Sequence, residues 1–177
     1  GWHPLNGACA IPDARIGTQR PLAAVLFYRA LLQADDTAPV AALIDALDER
    51  GLDALPVFAT SLRDEAAFAI VRAGLEAARP DVVVTTTSFA RASIGAEAGD
   101  AHPLGALDCP VIQAVLASSS EDAWRASARG LSARDTAMAV ALPEVDGRIF
   151  GRAISFKTAE ARDVARASAR PSECAAC

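Results

Sequence analysis

The chain alternates short, continuous apolar runs with segments of helical periodicity, and this alternation restricts its fold more than any other feature. Ala23–Tyr28 (AAVLFY) is an uninterrupted apolar run of strand length, which is typical of a strand buried on both faces. The next segment begins with Thr37 as a candidate N-cap and has Pro39 in its first turn, as helices favour. Its apolar residues then follow the spacing of one helical face: Val40, Leu43, Ile44 and Leu47.

The same unit recurs along the chain. Three further runs have strand length: Leu52–Phe58, Val82–Thr85 and Val111–Leu116. Pro56 predicts a bend or an end in the first of them, because proline cannot donate a ladder hydrogen bond. Strands and helices that alternate at this spacing predict βαβ units. We therefore expect a three-layer α/β fold, a flavodoxin-like parallel sheet with helices on both faces.

Two short helices are predicted after the fourth strand. Ser118–Ser120 are predicted to cap a helix over residues 121–128, since Ser118 and Glu121 have the spacing of a capping box. A second short helix is predicted over residues 132–139.

The sequence Asp146-Gly147 is a hairpin-turn signal between residues 140–145 and Ile149–Phe156. Such a hairpin would add antiparallel strands at an edge of the sheet. Glu144, Asp146 and Arg148 flank the turn, and acidic residues beside a turn are more often solvated than catalytic. We expect these three residues to pin the structure or to dock another domain.

The chain divides into three parts. Residues 1–20 lack periodicity and are expected to form an irregular lead, and residues 21–157 are expected to form the α/β domain. Residues 158–177 are rich in Ala, Arg and Ser and are expected to form a poorly packed tail. Within the domain, residues 90–108 are Gly- and Ala-rich and predict a long connection with room for a short helix.

Composition excludes several classes of protein. A net charge of −5 gives no broad positive field, so no nucleic-acid partner is expected. No apolar run approaches the roughly 20 residues that span a bilayer, and no secretory signal pattern is visible, so we expect a cytoplasmic protein without a membrane partner. Because the chain begins with Gly1 rather than Met, we expect it either to be a segment of a longer protein or to carry the remnant of a tag.

The sequence also lacks the usual motifs for nucleotides and metals. The loop after the first strand, RALLQADDT, contains no glycine-rich cradle for phosphate. Cys174 and Cys177 have metal-pair spacing, but a closed zinc site needs four ligands. The other candidate ligands lie in separate segments: His3, Cys9, His102 and Cys109. We therefore expect no metal site, no catalytic residue and no bound cofactor in this chain.

A candidate binding site follows from the predicted topology. Ligands of open parallel sheets bind beyond the carboxyl ends of the strands, at a topological switch point. Six polar or aromatic residues fall at these ends and are expected to line a substrate crevice: Tyr28, Arg29, Ser61, Thr87, Phe89 and Gln113. The hydroxyl run Thr85–Ser88 has an alternative role, since such side chains often bond the local backbone.

Several strings of the sequence resemble one family in order and spacing. They include VLFYRALLQADDTAPVAALIDAL, LPVFATSLRD, PDVVVTTTSFA and, as the most specific, ALPEVDGRIF with WRASARGLS upstream of it. From about Arg20 to Lys157 they resemble the large subunit of cobaltochelatase and its relative, the magnesium chelatase H subunit. The strings SLRD and ISFK are closer to the cobalt branch.

This resemblance implies a segment of the tetrapyrrole-binding subunit of an ATP-dependent chelatase. The family enzyme inserts cobalt, its substrate, into hydrogenobyrinic acid a,c-diamide in cobalamin biosynthesis. The implied partners are the remainder of the large subunit, the corrin or porphyrin substrate, and two smaller subunits, of which one is an AAA+ ATPase that supplies ATP hydrolysis. The segment is expected to be inactive alone. A segment of the magnesium chelatase H subunit and a non-catalytic ligand-binding or docking module are the alternatives.

Within the resemblance, Arg29 is the best anchor for a corrin carboxylate, because its planar fork matches an anion bidentately. The alternative is an ion pair of Arg29 with Asp35 or Asp36. The chain also departs from the family pattern: Asp35 stands where the family usually has Gly, and Thr85 stands where it usually has Asn.

Overall fold

The computed structural model describes residues 2–3, 7–8, 19–89, 104, 107–159 and 165–169. Its main sheet has six strands: β1 Leu22–Tyr28, β2 Asp53–Ala59, β3 Val82–Thr85, β4 Val111–Leu116, β5 Ile149–Ala159 and β6 Ala165–Ala169. Their order is β2-β1-β3-β4-β5-β6, and β1 to β5 are parallel neighbours. The order 2-1-3-4-5 is that of flavodoxin-like sheets, so the predicted fold class is confirmed.

Seven helical segments accompany the sheet in the described residues: α1 Arg29–Gln33, α2 Ala38–Glu49, α3 Glu65–Ala78, α4 Glu121–Ala126, α5 Ala133–Thr136, a π-helical turn Ala137–Ala141, and α6 Leu142–Val145. None of them is long and apolar enough to cross a membrane. The backbone of Trp2–His3 pairs separately with that of Gly7–Ala8. Most of the predicted connection over residues 90–108 lies outside the described residues.

Strand β1 separates two apolar layers. Its side chains alternate between the faces of the sheet, and all of Leu22–Phe27 is buried. Leu22, Ala24 and Leu26 pack on the side of α3, whose buried stripe includes Phe68, Val71 and Leu75. Ala23, Val25 and Phe27 pack on the side of α2. This arrangement explains the uninterrupted apolar run, because neither face of β1 meets water.

Pro56 does not bend or end its strand, so that prediction is wrong. It lies in the middle of β2 and is opposite Val25 of β1. Strand β2 is the outermost strand on its side of the sheet, where one set of backbone groups has no neighbouring strand. A missing N–H group is tolerated at such an edge.

The hairpin predicted at Asp146-Gly147 is also wrong, because residues 137–145 are helical. Pro143 lies in α6, which continues directly from the π-helical turn Ala137–Ala141. The N–H groups of Asp146 and Gly147 then bond back to Pro143 and Glu144 and end the helix. Strand β5 does have an antiparallel neighbour, but this is β6.

The N-termini of two helices test the predicted caps. Of the predicted serines Ser118–Ser120, Ser120 caps α4, with its hydroxyl accepting the N–H of Ala123 at 3.2 Å. Thr37 occupies the N-cap position of α2 but makes no capping hydrogen bond with its side chain. Asp35, which stands where the family usually has Gly, adopts φ of +53°, the left-handed conformation that glycine enters most easily.

Replacing Arg79 with glycine is expected to stabilise the fold. Arg79 ends α3 with φ of +50°, a conformation that strains residues with a Cβ atom. We expect Arg79→Gly to raise the free energy of unfolding by about 0.5–1 kcal/mol in urea denaturation. Arg72→Gly, within the same helix, is the matched control and should lower it by about 1 kcal/mol. A loss of stability in Arg79→Gly would contradict the role of the cap.

Candidate ligand-binding cleft

A cleft of about 380 Å³ opens where β1, β2 and β3 end. Strand β1 sits between β2 and β3, so the chain reverses its direction of winding here, and this is the switch point of the sheet. Open parallel sheets bind their ligands at this place. The cleft is lined by Tyr28, Thr60, Ser61, Leu62, Arg63, Ser88 and Phe89.

Three of the six predicted site residues line this cleft: Tyr28, Ser61 and Phe89. Thr87 and Gln113 do not, because both are buried beneath the strand ends, where they bond to Arg148. The strand-end rule therefore placed three residues at the edge of the sheet that carries the cleft, but it assigned two buried side chains to the crevice wall.

Arg29 begins α1, is exposed, and is not among the residues that line the cleft. In the predicted alternative it would pair with Asp35 or Asp36. The carboxylate of Asp36 accepts a hydrogen bond from Lys157 at 2.8 Å across the end of the sheet. Arg29 is therefore poorly placed to anchor a ligand in this cleft.

Arg148 organises the interior behind the cleft. Its Nη1 donates to the carbonyl oxygen of Thr87 at 2.8 Å and to Gln113 Oε1 at 3.0 Å. Its Nη2 donates to the carbonyl oxygen of Phe89 at 3.3 Å and to Asp146 Oδ2 at 3.0 Å. The side chains of Arg148 and Asp146 are 4% and 1% exposed, so their ion pair is buried. We call this set the Arg148 network.

Thr87, Ser88 and Phe89, which follow β3, are each held by hydrogen bonds. The Arg148 network holds two of their carbonyl groups, and the Tyr28 hydroxyl donates to the third, that of Ser88, at 2.7 Å. The N–H of Phe89 donates to the carbonyl oxygen of Met138 at 2.9 Å. Met138 lies in the π-helical turn Ala137–Ala141, and π-helical turns often occur at functional sites. The backbone of Thr87, Ser88 and Phe89 is therefore held in place.

Phe89 has an unusual backbone and an exposed ring. Its φ is +68°, a conformation that a bulky residue adopts only under constraint. Its side chain is nevertheless 44% exposed, so burial of the ring does not explain the constraint. Strained residues of this kind occur most often at ligand-binding and catalytic sites.

Arg63 lines the cleft from a second well-ordered loop. Leu62 before it is buried in the core, and Asp64 after it caps α3 by accepting the N–H of Ala67 at 2.7 Å. The N–H of Arg63 itself donates to Ser61 Oγ at 3.1 Å. Among the described residues no carboxylate forms a salt bridge with the Arg63 side chain. Arg63 was not predicted from the sequence, although it lies two residues after the predicted Ser61.

Burial shifts two pKa values at the cleft. Desolvation lowers the pKa of Arg148, although the adjacent Asp146 opposes this effect. Desolvation raises the pKa of Tyr28, and the positive charge of Arg148 opposes that rise. Tyr28 is therefore a neutral hydrogen-bond donor to Ser88 over the ordinary pH range.

Three residues are predicted to pin the structure or to dock another domain: Glu144, Asp146 and Arg148. Asp146 and Arg148 are buried, whereas Glu144 is exposed.

The ionisation of Tyr28 can be measured directly, because it is the single tyrosine of the chain. We expect the phenolate absorbance to appear above the ordinary midpoint of about 10 in the folded protein and at about 10 in urea. Since the folded state holds this proton more tightly, stability is unaffected below about pH 10 and falls as pH rises through the raised pKa. Tyr28→Phe is the control and should lack this part of the alkaline loss. A folded-state midpoint below 10 would contradict the burial of the phenol.

The fold and the cleft together define a doubly wound α/β domain with a candidate ligand-binding cleft at its switch point. The chain belongs to the CobN/magnesium chelatase family, whose profile matches residues 6–176. The family resemblance of the sequence is therefore confirmed.

Individual relatives give the same result. The chain is 49% identical over 174 residues to the aerobic cobaltochelatase subunit CobN of Sinorhizobium sp., covering 92% of the chain and 13% of that protein. It is 32% identical to the H subunit of magnesium chelatase from Cereibacter sphaeroides, covering 82% of the chain and 13% of that protein. The catalytic subunit of cobaltochelatase from Mycobacterium tuberculosis superposes with a TM-score of 0.76 at 33% identity, over 90% of the chain and 14% of that structure. The chain thus spans about one eighth of these relatives.

Proposed function

We propose that this chain is a segment of the large subunit of an aerobic cobaltochelatase, which inserts cobalt into hydrogenobyrinic acid a,c-diamide in the cytoplasm. The observation that carries the proposal is the 49% identity to a cobaltochelatase subunit over nearly the whole chain. Identity to the H subunits of two magnesium chelatases is lower, at 32% and 34%. A magnesium chelatase segment is therefore the second candidate.

The segment's role is to contact the substrate and not to insert the metal. Insertion needs a base for the ring N–H protons and groups that present the metal, commonly His, Cys or carboxylate. The chain has only two histidines, and neither lies in the strings that are specific to the family. The relatives are about eight times longer, so the remaining groups have ample sequence outside this segment. ATP hydrolysis is assigned to the two smaller partner subunits.

Within the segment, the cleft is the place of substrate contact. It holds Tyr28, Ser61 and Phe89 at the switch point, while Thr87 and Gln113 support it from behind through Arg148. Exposed Glu144 is free to contact the remainder of the large subunit, whereas the buried pair of Asp146 and Arg148 pins the strand-end loop.

The assay that tests this proposal combines the 177-residue chain with hydrogenobyrinic acid a,c-diamide, Co²⁺ and ATP, with and without the two smaller subunits. We expect no spectral conversion of the corrin in either mixture. A full-length large subunit, added as the positive control, should convert it only when the smaller subunits are present. Conversion by the 177-residue chain alone would overturn the assignment of its role.

A further inference from the structure

We propose that the cleft binds the edge of a planar, conjugated ring that bears a carboxylate, with Phe89 as the stacking surface and Arg63 as the anchor of the carboxylate. The choice of a tetrapyrrole-like ring rests on the proposed function. The two residue roles rest on the geometry of the cleft.

The stacking role follows from the constrained backbone of Phe89. A glycine would adopt φ of +68° without strain, and a polar residue such as Asn would adopt it more easily than phenylalanine. Hydrogen bonds from Arg148 and to Met138 hold the backbone in place regardless of the side chain. What the phenylalanine adds is an aromatic face that stays 44% exposed at the cleft. Such a face stacks on planar rings and contributes little to a core.

The anchoring role follows from charge. Arg63 is the single charged residue among the seven that line the cleft, so the lining carries a net positive charge. Its backbone is fixed on both sides by buried Leu62 and by the capping residue Asp64, which reduces the ordering required on binding. The planar guanidinium fork matches a carboxylate bidentately, and the Thr60 and Ser61 hydroxyls beside it can donate further hydrogen bonds.

A carboxylate fits this lining better than a phosphate. Phosphate sites usually converge several backbone N–H groups or cations on one anion. Here one arginine stands beside an aromatic ring and the apolar Leu62. The volume of about 380 Å³ lies at the lower end of ligand pockets, which span roughly 300–1,000 Å³, so it suits one edge of a large ring.

The first arm of the test measures the affinity of the 177-residue chain for deuteroporphyrin, a dicarboxylate, and for its uncharged dimethyl ester. We expect the acid to bind more tightly than the ester. Arg63→Gln should lower the affinity for the acid about tenfold and leave the affinity for the ester unchanged, because only the acid has carboxylates that Arg63 can bind. Arg129→Gln, an exposed arginine outside the cleft, is the matched control and should change neither. If Arg63→Gln lost equal affinity for the acid and the ester, or lost no affinity for the acid, the role of Arg63 as the anchor would be overturned.

The second arm uses Phe89→Gly and Phe89→Tyr. Phe89→Gly should raise the midpoint of thermal unfolding, because glycine removes the backbone strain. It should also lower the affinity for both the acid and the ester about tenfold, because the stacking surface is lost. Tyrosine should keep both affinities. Unchanged affinity in Phe89→Gly would overturn the stacking role of Phe89. Tighter binding of AMP than of deuteroporphyrin would overturn the assignment of a carboxylate ligand.

Insertion assays on the full-length subunit separate this inference from the proposed function. If the full-length subunit inserts cobalt but the cleft variants bind porphyrin normally, only the proposed site is refuted. If the cleft variants lose porphyrin binding but the full-length subunit does not insert cobalt, only the proposed function is refuted.

Discussion

Replacing Arg148 with methionine is expected to lower the free energy of unfolding by about 3–5 kcal/mol. Methionine fills similar space, but it removes the guanidinium that lies 3.0 Å from the buried carboxylate of Asp146. It also removes donors from the carbonyl groups of Thr87 and Phe89 and from the Gln113 amide. Urea denaturation followed by circular dichroism measures the change.

Two variants control this experiment. Arg134→Met changes an exposed arginine and should alter stability by less than about 0.5 kcal/mol. Asp146→Asn added to Arg148→Met should recover part of the loss, because it removes the buried negative charge that Arg148 no longer balances. A loss below about 1 kcal/mol in Arg148→Met, or a further loss in the double variant, would show that the network does not hold the strand ends together.

Replacing Gly151 with valine is expected to cost about 3 kcal/mol, because β4 and β5 approach each other closely there. An added Cβ would lie 2.8 Å from the backbone oxygen of Gln113 and 3.1 Å from a methyl carbon of Ile112. The contact with Gln113 cannot relax through movement of a side chain, because that oxygen belongs to the backbone. The shift would displace Gln113 and with it an acceptor of Arg148.

Ala153→Val is the matched control for the glycine variant. It adds the same side chain to β5, two residues further along, opposite Val115. Valine suits strands, so we expect a change within about 1 kcal/mol. If Gly151→Val were as stable as Ala153→Val in urea denaturation, the close approach of the two strands would not be needed for the fold.

The sheet could be predicted from the sequence because its strands are buried on both faces. The boundaries of Val82–Thr85 and Val111–Leu116 were predicted without error, since each apolar run ends where the strand does. The hairpin at Asp146-Gly147 was predicted wrongly, because a local turn signal was preferred over the helix that continues from Ala133 through the π-helical turn. Turn residues do not reveal whether they follow a strand or a helix.

The candidate site could be predicted only in part. The strand-end rule placed Tyr28, Ser61 and Phe89 at the cleft, because it needs only strand order and strand ends. It did not reveal which side chains point inward, so Thr87 and Gln113 were assigned to the crevice. Their partner Arg148 is 61 and 35 residues away in sequence, a separation at which no periodicity gives a signal.

Exchange of segments in full-length chelatases tests the central claim most directly. This chain would replace the matching segment of the Sinorhizobium cobaltochelatase subunit CobN and, separately, that of a magnesium chelatase H subunit. Metal insertion would then be measured with the partner subunits and ATP of each enzyme. We expect the cobaltochelatase chimaera to retain cobalt insertion and the magnesium chelatase chimaera to lose most of its magnesium insertion. Retention of magnesium insertion together with loss of cobalt insertion would contradict the assignment.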